Sequence, residues 1–431
     1  MRYWVETLGC PKNQVDSDKL TGTLLADGYE PAGEADDADV LVVNTCAFIE
    51  AARQESIDTI LDLAGRRREG AQLVVTGCLA ERYGTELEAL LPEADRIAGF
   101  GVAVSPGPVP PEEGERRPSG TVPLELGPTR RRDRGGFDLL ELPRPPARAP
   151  WAYLKVAEGC DRRCGFCAIP SFRGRQRSRP LGALLAEVDA LAVKEVVLVA
   201  QDLASYGRDL GSPGAIVPLV EAVAARVDRV RLLYLYPSQL SESLISVMGD
   251  IGCAYFDLSL QHASRRHLAR MRRWGDGGRF QQRVEHIRQR WPEAAFRSSF
   301  IVGYPGETEE DHDELLRFLE AAELDWAGFF PYSREEGTHA AGLPDQVDPR
   351  LVAERLAECG ELQDGITSRR RQALVGESMT VLVDSPGTAR SHREAPEIDG
   401  VVRVPDALPV GGWHDVVVTG AEGPDLEAAA I

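Results

Sequence analysis

Cysteine is scarce in this chain, with eight in 431 residues. That excludes a disulfide-stapled miniprotein, so stability has to come from ordinary hydrophobic cores. Long apolar runs are missing too: no stretch approaches the ~20 residues needed to span a bilayer, and no charged segment followed by a short apolar one opens the chain. Positive charge is in deficit, 49 Lys and Arg against 68 Asp and Glu, for a net charge of −19. Such a chain is poorly suited to non-specific attraction to nucleic acid or anionic lipid, but it can steer a basic partner. The seven histidines show no metal-ligand spacing. The expectation is a soluble cytoplasmic protein of two or three domains with reduced thiols, in which grouped cysteines point to metal or catalysis.

The first hundred residues alternate strand-like and helix-like segments. RYWVET (2–7), DVLVVN (39–44) and QLVVTG (72–77) are short β-branched runs of the kind buried on both faces of a parallel sheet. Helical patterns over 14–28, 47–68 and 79–90 separate or follow them, giving βαβαβ. Each strand is followed by one cysteine: Cys10, Cys46 and Cys78. The carboxyl ends of parallel strands share one edge, where such folds bind ligands, so cysteines 36 and 32 residues apart should meet in space. Three buried small hydrophobes would not need to fall at three strand ends.

Residues 106–150 carry eleven prolines together with TRRRDRGG and PRPPARAP, the composition of an extended charged linker. A second alternating series follows. Strand candidates are 152–157, 195–200, 229–236, 255–261, 296–303 and 327–333. Six βα units are two short of a full barrel, which leaves an open mouth for a large substrate. The last sixty residues (MTVLVD, VVRV, HDVVVTG) read as a small antiparallel OB-like barrel. The domain expectation is therefore 1–105, a linker at 106–149, a core at 150–370 and a barrel at 371–431, an α/β multidomain protein.

AEGCDRRCGFCAIP directly follows the first barrel strand, placing Cys160, Cys164 and Cys167 in CxxxCxxC with Phe166 before the last cysteine. A zinc site usually presents four ligands in paired CxxC groups. Three thiolates instead suit a 4Fe-4S cluster with one iron left open. The mouth of a barrel strand is also where barrel chemistry sits.

This motif resembles the radical S-adenosylmethionine (SAM) superfamily, in which the open iron chelates the amino and carboxylate groups of SAM and an electron from the cluster yields a 5′-deoxyadenosyl radical. The whole chain resembles the methylthiotransferases: an N-terminal three-cysteine domain, a partial (βα)6 radical SAM barrel and a C-terminal β-barrel called TRAM. The resemblance implies that Cys10, Cys46 and Cys78 hold a second, auxiliary 4Fe-4S cluster that carries or donates sulfur. LGCPKNQVDS, AQDLASYG, FPYSREEGT and REAPEIDGVV are similar to the ribosomal-protein branch, the RimO family, which methylthiolates the β-carbon of an aspartate in the twelfth small-subunit ribosomal protein. The tRNA branch usually has asparagine where Asp202 stands. Asp18 replaces a usual glutamate and Ser259 a usual proline; neither is a ligand position.

Phe166, Gln201, Ser259, Gln261, Arg297, Ser299 and Gly303 are then candidates to line the SAM pocket, Gly303 and Gly306 because SFIVGYPGET permits close backbone approach. Arg173, Arg177 and Asp202 are candidates for substrate recognition; the surrounding arginines equally suit a solvated surface. His262 reads as a hydrogen-bonded pocket residue, Cys253 and Cys359 as structural. The resemblance further implies two SAM molecules per turnover, a flavodoxin or ferredoxin as electron donor, a sulfur source, and as partner either the free ribosomal protein or the assembled small subunit, with no membrane. The rivals are a tRNA methylthiotransferase acting on a modified adenosine and a non-catalytic iron–sulfur scaffold that binds ribosomal components.

Overall fold

A computed structural model describes residues 1–105, 137–251 and 253–431, and the chain forms two compact units, Met1–Pro145 and Pro146–Ile431. The linker expected at 106–149 lies, for residues 106–136, outside the described residues.

The first unit is a five-stranded sheet in the order β2-β1-β3-β4-β5, parallel throughout. Its elements in chain order are β1 (Arg2–Thr7), α1 (Pro11–Ala26), β2 (Glu30–Pro31), β3 (Val40–Thr45), α2 (Glu50–Arg66), β4 (Gln72–Gly77), α3 (Cys78–Leu90) and β5 (Arg96–Ala98). All six residues of β3 are buried, as the unbroken run VLVVNT requires of a central strand covered on both faces. Residues 137–145, expected to be linker, instead pack on α1: Leu139 and Leu140 are buried, Lys19 Nζ donates to the Leu140 carbonyl (2.7 Å), and Arg144 pairs with Asp18 (2.7 Å). A buried ammonium needs such an acceptor, and this backbone supplies it.

The second unit begins with β6 (Trp151–Lys155), β7 (Ala157–Glu158), α4 (Ile169–Phe172), β8 (Arg177–Ser178), α5 (Leu181–Leu191), β9 (Glu195–Val199), α6 (Ile216–Ala224), β10 (Arg229–Leu232) and α7 (Glu242–Asp250). It continues with β11 (Tyr255–Gln261), α8 (Arg265–Arg270), α9 (Gly277–Arg290), β12 (Ala295–Val302), α10 (Glu309–Ala322), β13 (Trp326–Pro331) and α11 (Pro349–Gln372). Six parallel strands lie in two runs, β6-β9-β10 and β11-β12-β13, joined by a parallel bridge from Leu235 to Leu258. All six barrel strands fall where the sequence places them. The third is shorter than 229–236, because Tyr234 takes a left-handed conformation (φ +64°) and its N–H is captured by Asp257 Oδ2 at 2.9 Å. A ladder cannot continue through that backbone.

The C-terminal strands are β14 (Ser378–Ser385), β15 (Thr388–Arg390), β16 (Val402–Arg403), β17 (Trp413–Glu422) and β18 (Asp425–Ala430). They close as β14-β15-β16-β18-β17 around Val381, Val383, Val402, Val416, Val418 and Leu426. The expected all-antiparallel pairing needs one correction: β16 and β18 run parallel, so the barrel is mixed. Closure removes exposed edges either way. The 390–399 segment fixes this barrel to the strand-start edge of the larger one. Tyr153 Oη donates to the Pro396 carbonyl (2.8 Å), Tyr255 Oη to Asp399 (2.6 Å) and Trp326 Nε1 to the Arg393 carbonyl (2.8 Å).

Candidate cluster and cofactor sites

In the first unit, Cys10, Cys46 and Cys78 follow β1, β3 and β4, three adjacent parallel strands, at one sheet edge. Cys10 caps α1, its carbonyl accepting from the N–H groups of Asn13 (2.8 Å) and Gln14 (3.2 Å), with Pro11 pre-set for the first turn. Gly9 takes φ +95°, and a side chain there would put its Cβ 2.8 Å from Cys46 Cβ and 3.0 Å from Cys46 Sγ, so only glycine lets the Cys10 turn approach Cys46. Ser56 Oγ holds Cys46 at both backbone groups, 3.1 Å from its N–H and 3.0 Å from its carbonyl.

Asn13 ties the three ends together. Its Nδ2 donates to the carbonyls of Leu8 (2.9 Å) and Thr45 (3.0 Å), and its Oδ1 accepts from the Cys78 thiol at 3.8 Å. Three residues beyond the first cysteine, Asn13 carries no local signal that sets it apart from any helix-start asparagine, and the sequence reading passes over it.

In the second unit the CxxxCxxC loop is an excursion between β7 and β8, which pair antiparallel as a short ribbon (Glu158 opposite Arg177). Gly159 has φ +76°, and a Cβ there would meet the Arg175 carbonyl at 2.3 Å, so the ribbon closes under Cys160 only with glycine. The Cys160 sulfur accepts from the Arg162 N–H (3.4 Å), and the Cys164 sulfur from Arg273 Nη1 (3.4 Å). Burial pushes the Cys160 thiol up to about 11 and the Cys167 thiol up to about 12, with the neighbouring Cys164 adding to both. Iron binding here must therefore displace protons.

Behind Cys160 lies a buried carboxylate. Glu158 accepts from Arg173 Nη1 at both oxygens (2.9 and 3.0 Å) and from Gln201 Nε2 (2.9 Å), and it pairs with Lys155. Desolvation alone would raise its pKa, but Arg173 and Lys155 outweigh that and hold it well below the usual carboxylate range. Arg162 Nε pairs with Asp202 (2.6 Å) and lies 3.9 Å over the Tyr236 ring; Arg273 covers the same ring at 4.0 Å.

Two expected site residues have other work. Arg173 is 4% exposed and engaged with Glu158, so it cannot greet a protein substrate. Arg297 sits near the start of β12, paired with Asp257 (3.3 Å) and Asp399 (3.4 Å), on the edge opposite the cysteine loop, and so does not line a SAM pocket. Gly303 (φ +80°) ends β12 with its N–H on Glu307 (2.7 Å) and is crowded by Val352 of α11. Gln201 and Asp202 do stand at the end of β9, Ser259 and Gln261 at the end of β11, and Ser299 midway along β12. Phe166 packs half-buried against the barrel core, and Arg177 lies half-buried in β8. Tyr236, Arg273 and Glu158 are absent from the sequence reading. Arg273 lies 109 residues from Cys164, and only the fold makes them neighbours.

The donor set fits the groups that the motif implies. Three thiols with an adjacent guanidinium suit an iron–sulfur cluster rather than a hard cation. Gln201 Oε1, Asp202 Oδ1 and Arg273 Nε are buried without a hydrogen-bond partner, and SAM offers an ammonium, hydroxyls and a carboxylate. His262, His267 and Glu307 also lie with ligand atoms within 4.8 Å of one another. The Ser264 N–H donates to His262 Nδ1 (3.0 Å), so in the neutral ring Nε2 carries the proton and cannot ligate a metal. Burial holds His262 well below its usual pKa and His267 down to about 4. Cys253 and Cys359 are buried, as structural thiols should be.

Family models match in three places: the uncharacterized protein family UPF0004 over residues 2–99, the radical SAM superfamily over 154–319 and the TRAM domain over 375–431. The chain is 40% identical to ribosomal protein uS12 methylthiotransferase RimO of Chloroflexus aurantiacus, over 100% of both chains. The proteins of that name from Streptomyces coelicolor and Moorella thermoacetica are 42% and 43% identical, over 99% and 97% of this chain and 96% of each relative. Identity at this level along the full length, with a cysteine triad in each unit, leads to one conclusion: the chain belongs to the uS12 methylthiotransferase family of radical SAM enzymes.

Proposed function

We propose that this chain attaches a methylthio group to the β-carbon of an aspartate in ribosomal protein uS12, using two SAM molecules and two 4Fe-4S clusters. The observation that carries the reading is full-length identity of about 40% to relatives named for that activity, in a chain with one cysteine triad at three strand ends and the other in the loop between β7 and β8. Cys160, Cys164 and Cys167 hold the SAM-binding cluster and Cys10, Cys46 and Cys78 the auxiliary one. When bound, the first cluster supplies an electron to SAM and the second supplies sulfur, because no side chain is basic enough to activate the substrate C–H.

The residues of the chain bind and orient. Gln201 and Asp202 present unpartnered acceptors at the end of β9, with Ser259, Gln261 and Ser299 on neighbouring strands. Glu158 keeps Gln201 in place through its Nε2, leaving Oε1 for the cofactor. Arg177 is the substrate contact that remains: Asp202, 4% exposed and paired with Arg162, is withdrawn with Arg173 and serves the cofactor beside Gln201. Residues 1–105 serve the auxiliary cluster, 150–370 the SAM chemistry and 371–431 the docking of a basic ribosomal protein. A flavodoxin or ferredoxin supplies electrons, a separate donor replenishes sulfur, and the reaction takes place in the cytoplasm; no helix of the described residues is long and apolar enough to cross a membrane.

Mass spectrometry of uS12 and of tRNA, from cells with and without this chain, tests the assignment. The expected result is a methylthio increment on uS12 that disappears with the gene. Loss of the increment from tRNA instead would transfer the chain to the tRNA branch. No change in either, with the chain expressed and carrying iron, would favour a non-catalytic scaffold.

A further inference from the structure

We propose that Arg273 is a positioning residue for the SAM-binding cluster, one that fixes Cys164 and raises the reduction potential of the cluster that Cys164 ligates. The inference rests on the reading of Cys160, Cys164 and Cys167 as ligands of a 4Fe-4S cluster.

Arg273 does not reach Cys164 by chance. The helix α8 ends at Arg270 and the chain turns through Arg272, a non-glycine residue with φ +56°. Such a conformation costs energy and persists only where its surroundings hold it. Here the Arg272 N–H donates to the Ala269 carbonyl (3.0 Å) and the Arg273 N–H to the Leu268 carbonyl (2.8 Å), closing the helix end. The same turn grips the cysteine loop through backbone, since the Gly165 N–H donates to the Met271 carbonyl at 2.7 Å. Turn and loop are thus one structure, and Arg273 projects from it over Cys164.

Three contacts aim the guanidinium. Nη1 donates to the Cys164 sulfur at 3.4 Å, Nη2 donates to the Ser259 carbonyl, and the plane stacks 4.0 Å over Tyr236. Arg162 stacks on the same ring at 3.9 Å but spends its charge on Asp202, at 2.6 Å. Among the described residues Arg273 pairs with no carboxylate, so its charge is directed at the sulfur. A guanidinium stays protonated at any working pH. Reduction adds one negative charge to a cluster, and a fixed cation donating to one of its thiolates stabilises the reduced form. Removing the cation therefore makes the cluster harder to reduce, even where the fold and the iron are retained.

The test is an EPR-monitored redox titration of the full-length protein loaded anaerobically with iron and sulfide. The SAM-binding cluster is identified as the signal that changes when SAM is added. Arg273→Leu is expected to shift that midpoint to a more negative value at wild-type iron per chain, with Arg273→Lys between the two because it keeps the charge. If Arg273→Leu holds less iron, Arg273→Lys and Arg273→Gln are compared, and Lys should titrate at the more positive potential. Equal midpoints for wild type and Leu, or for Lys and Gln, overturn the inference. If no signal in the wild type responds to SAM, the cluster assignment itself fails, and the inference with it.

Discussion

Arg390, the last residue of β15 in the C-terminal barrel, donates from Nη1 to Glu195 Oε2 at 3.0 Å, although the two are 195 residues apart. Glu195 opens β9 and is fully buried, and it also pairs with Arg231 (2.9 Å) and Arg229 (3.7 Å). Arg390 pairs in turn with Asp384 of its own barrel. One carboxylate thus answers three guanidinium groups drawn from two barrels.

The first prediction concerns acid stability. Burial raises the pKa of Glu195, but Arg390, Arg231 and Arg229 outweigh it and hold it at about 2. A depressed carboxylate stabilises the fold above its unfolded value near 4.5, and that contribution disappears as pH falls toward 2. Glu195→Gln should lose on the order of 3 kcal/mol at neutral pH and flatten the melting-temperature profile of the second unit between pH 4.5 and 2. A variant with wild-type melting at pH 7 would show that the cluster is not held together by charge.

The two triads should fail differently. Cys160→Ala, Cys164→Ala or Cys167→Ala should abolish reductive SAM cleavage, measured as 5′-deoxyadenosine formed under anaerobic conditions. Changing Cys10, Cys46 and Cys78 together to Ala should leave that cleavage measurable and stop methylthio transfer. Transfer by the triple variant would refute the auxiliary cluster.

Asn13→Ala should behave as a weaker form of that triple variant. It leaves the carbonyls of Leu8 and Thr45 without their donor, a loss of about 1–3 kcal/mol at the sheet edge. Iron per chain is expected to fall by up to one cluster while SAM cleavage persists. Full iron content with full methylthio transfer would reduce Asn13 to an ordinary helix-start residue.

Cys253→Ser and Cys359→Ser, by contrast, should keep full iron. Each buries a hydroxyl where a thiol sat, at a cost of about 1–3 kcal/mol in melting measurements. A cluster's worth of iron missing from either would mean that the ligands were wrongly assigned.

The last prediction concerns the partner. Residues 372–431 hold ten acidic residues and three arginines, Arg390, Arg393 and Arg403. Arg390 is buried, and Glu394 and Asp399 are spent inside, on Arg371 and Arg297. Glu377, Glu397, Asp406, Asp415, Glu422 and Glu427 remain exposed, against Arg403. An acidic face repels a tRNA backbone and attracts a basic protein. In the full-length protein, neutralising these six to Gln or Asn should weaken uS12 binding about tenfold at low salt and remove most of its salt dependence. Binding that is unchanged by neutralisation would locate the docking surface elsewhere. The intact chain is the right object, because residues 390–399 are built into the base of the larger barrel.

The sequence by itself determined the strands, the three cysteines at strand ends and the three grouped in one loop, because period-two and unbroken β-branched patterns are local and CxxxCxxC is a local spacing. It also determined the charge of the last module, which is simple addition. Tertiary structure decided which charges remain available. Arg173 and Arg297 look like site residues in a string of letters, yet Glu158 and the Asp257–Asp399 pair claim them, since a buried carboxylate must find a cation wherever the fold brings one. Asn13, Tyr236 and Arg273 gain their roles the same way. Most of their partners lie on other elements, up to 109 residues distant, and no local pattern records a contact that exists only when the fold brings strand ends and their loops to a common edge.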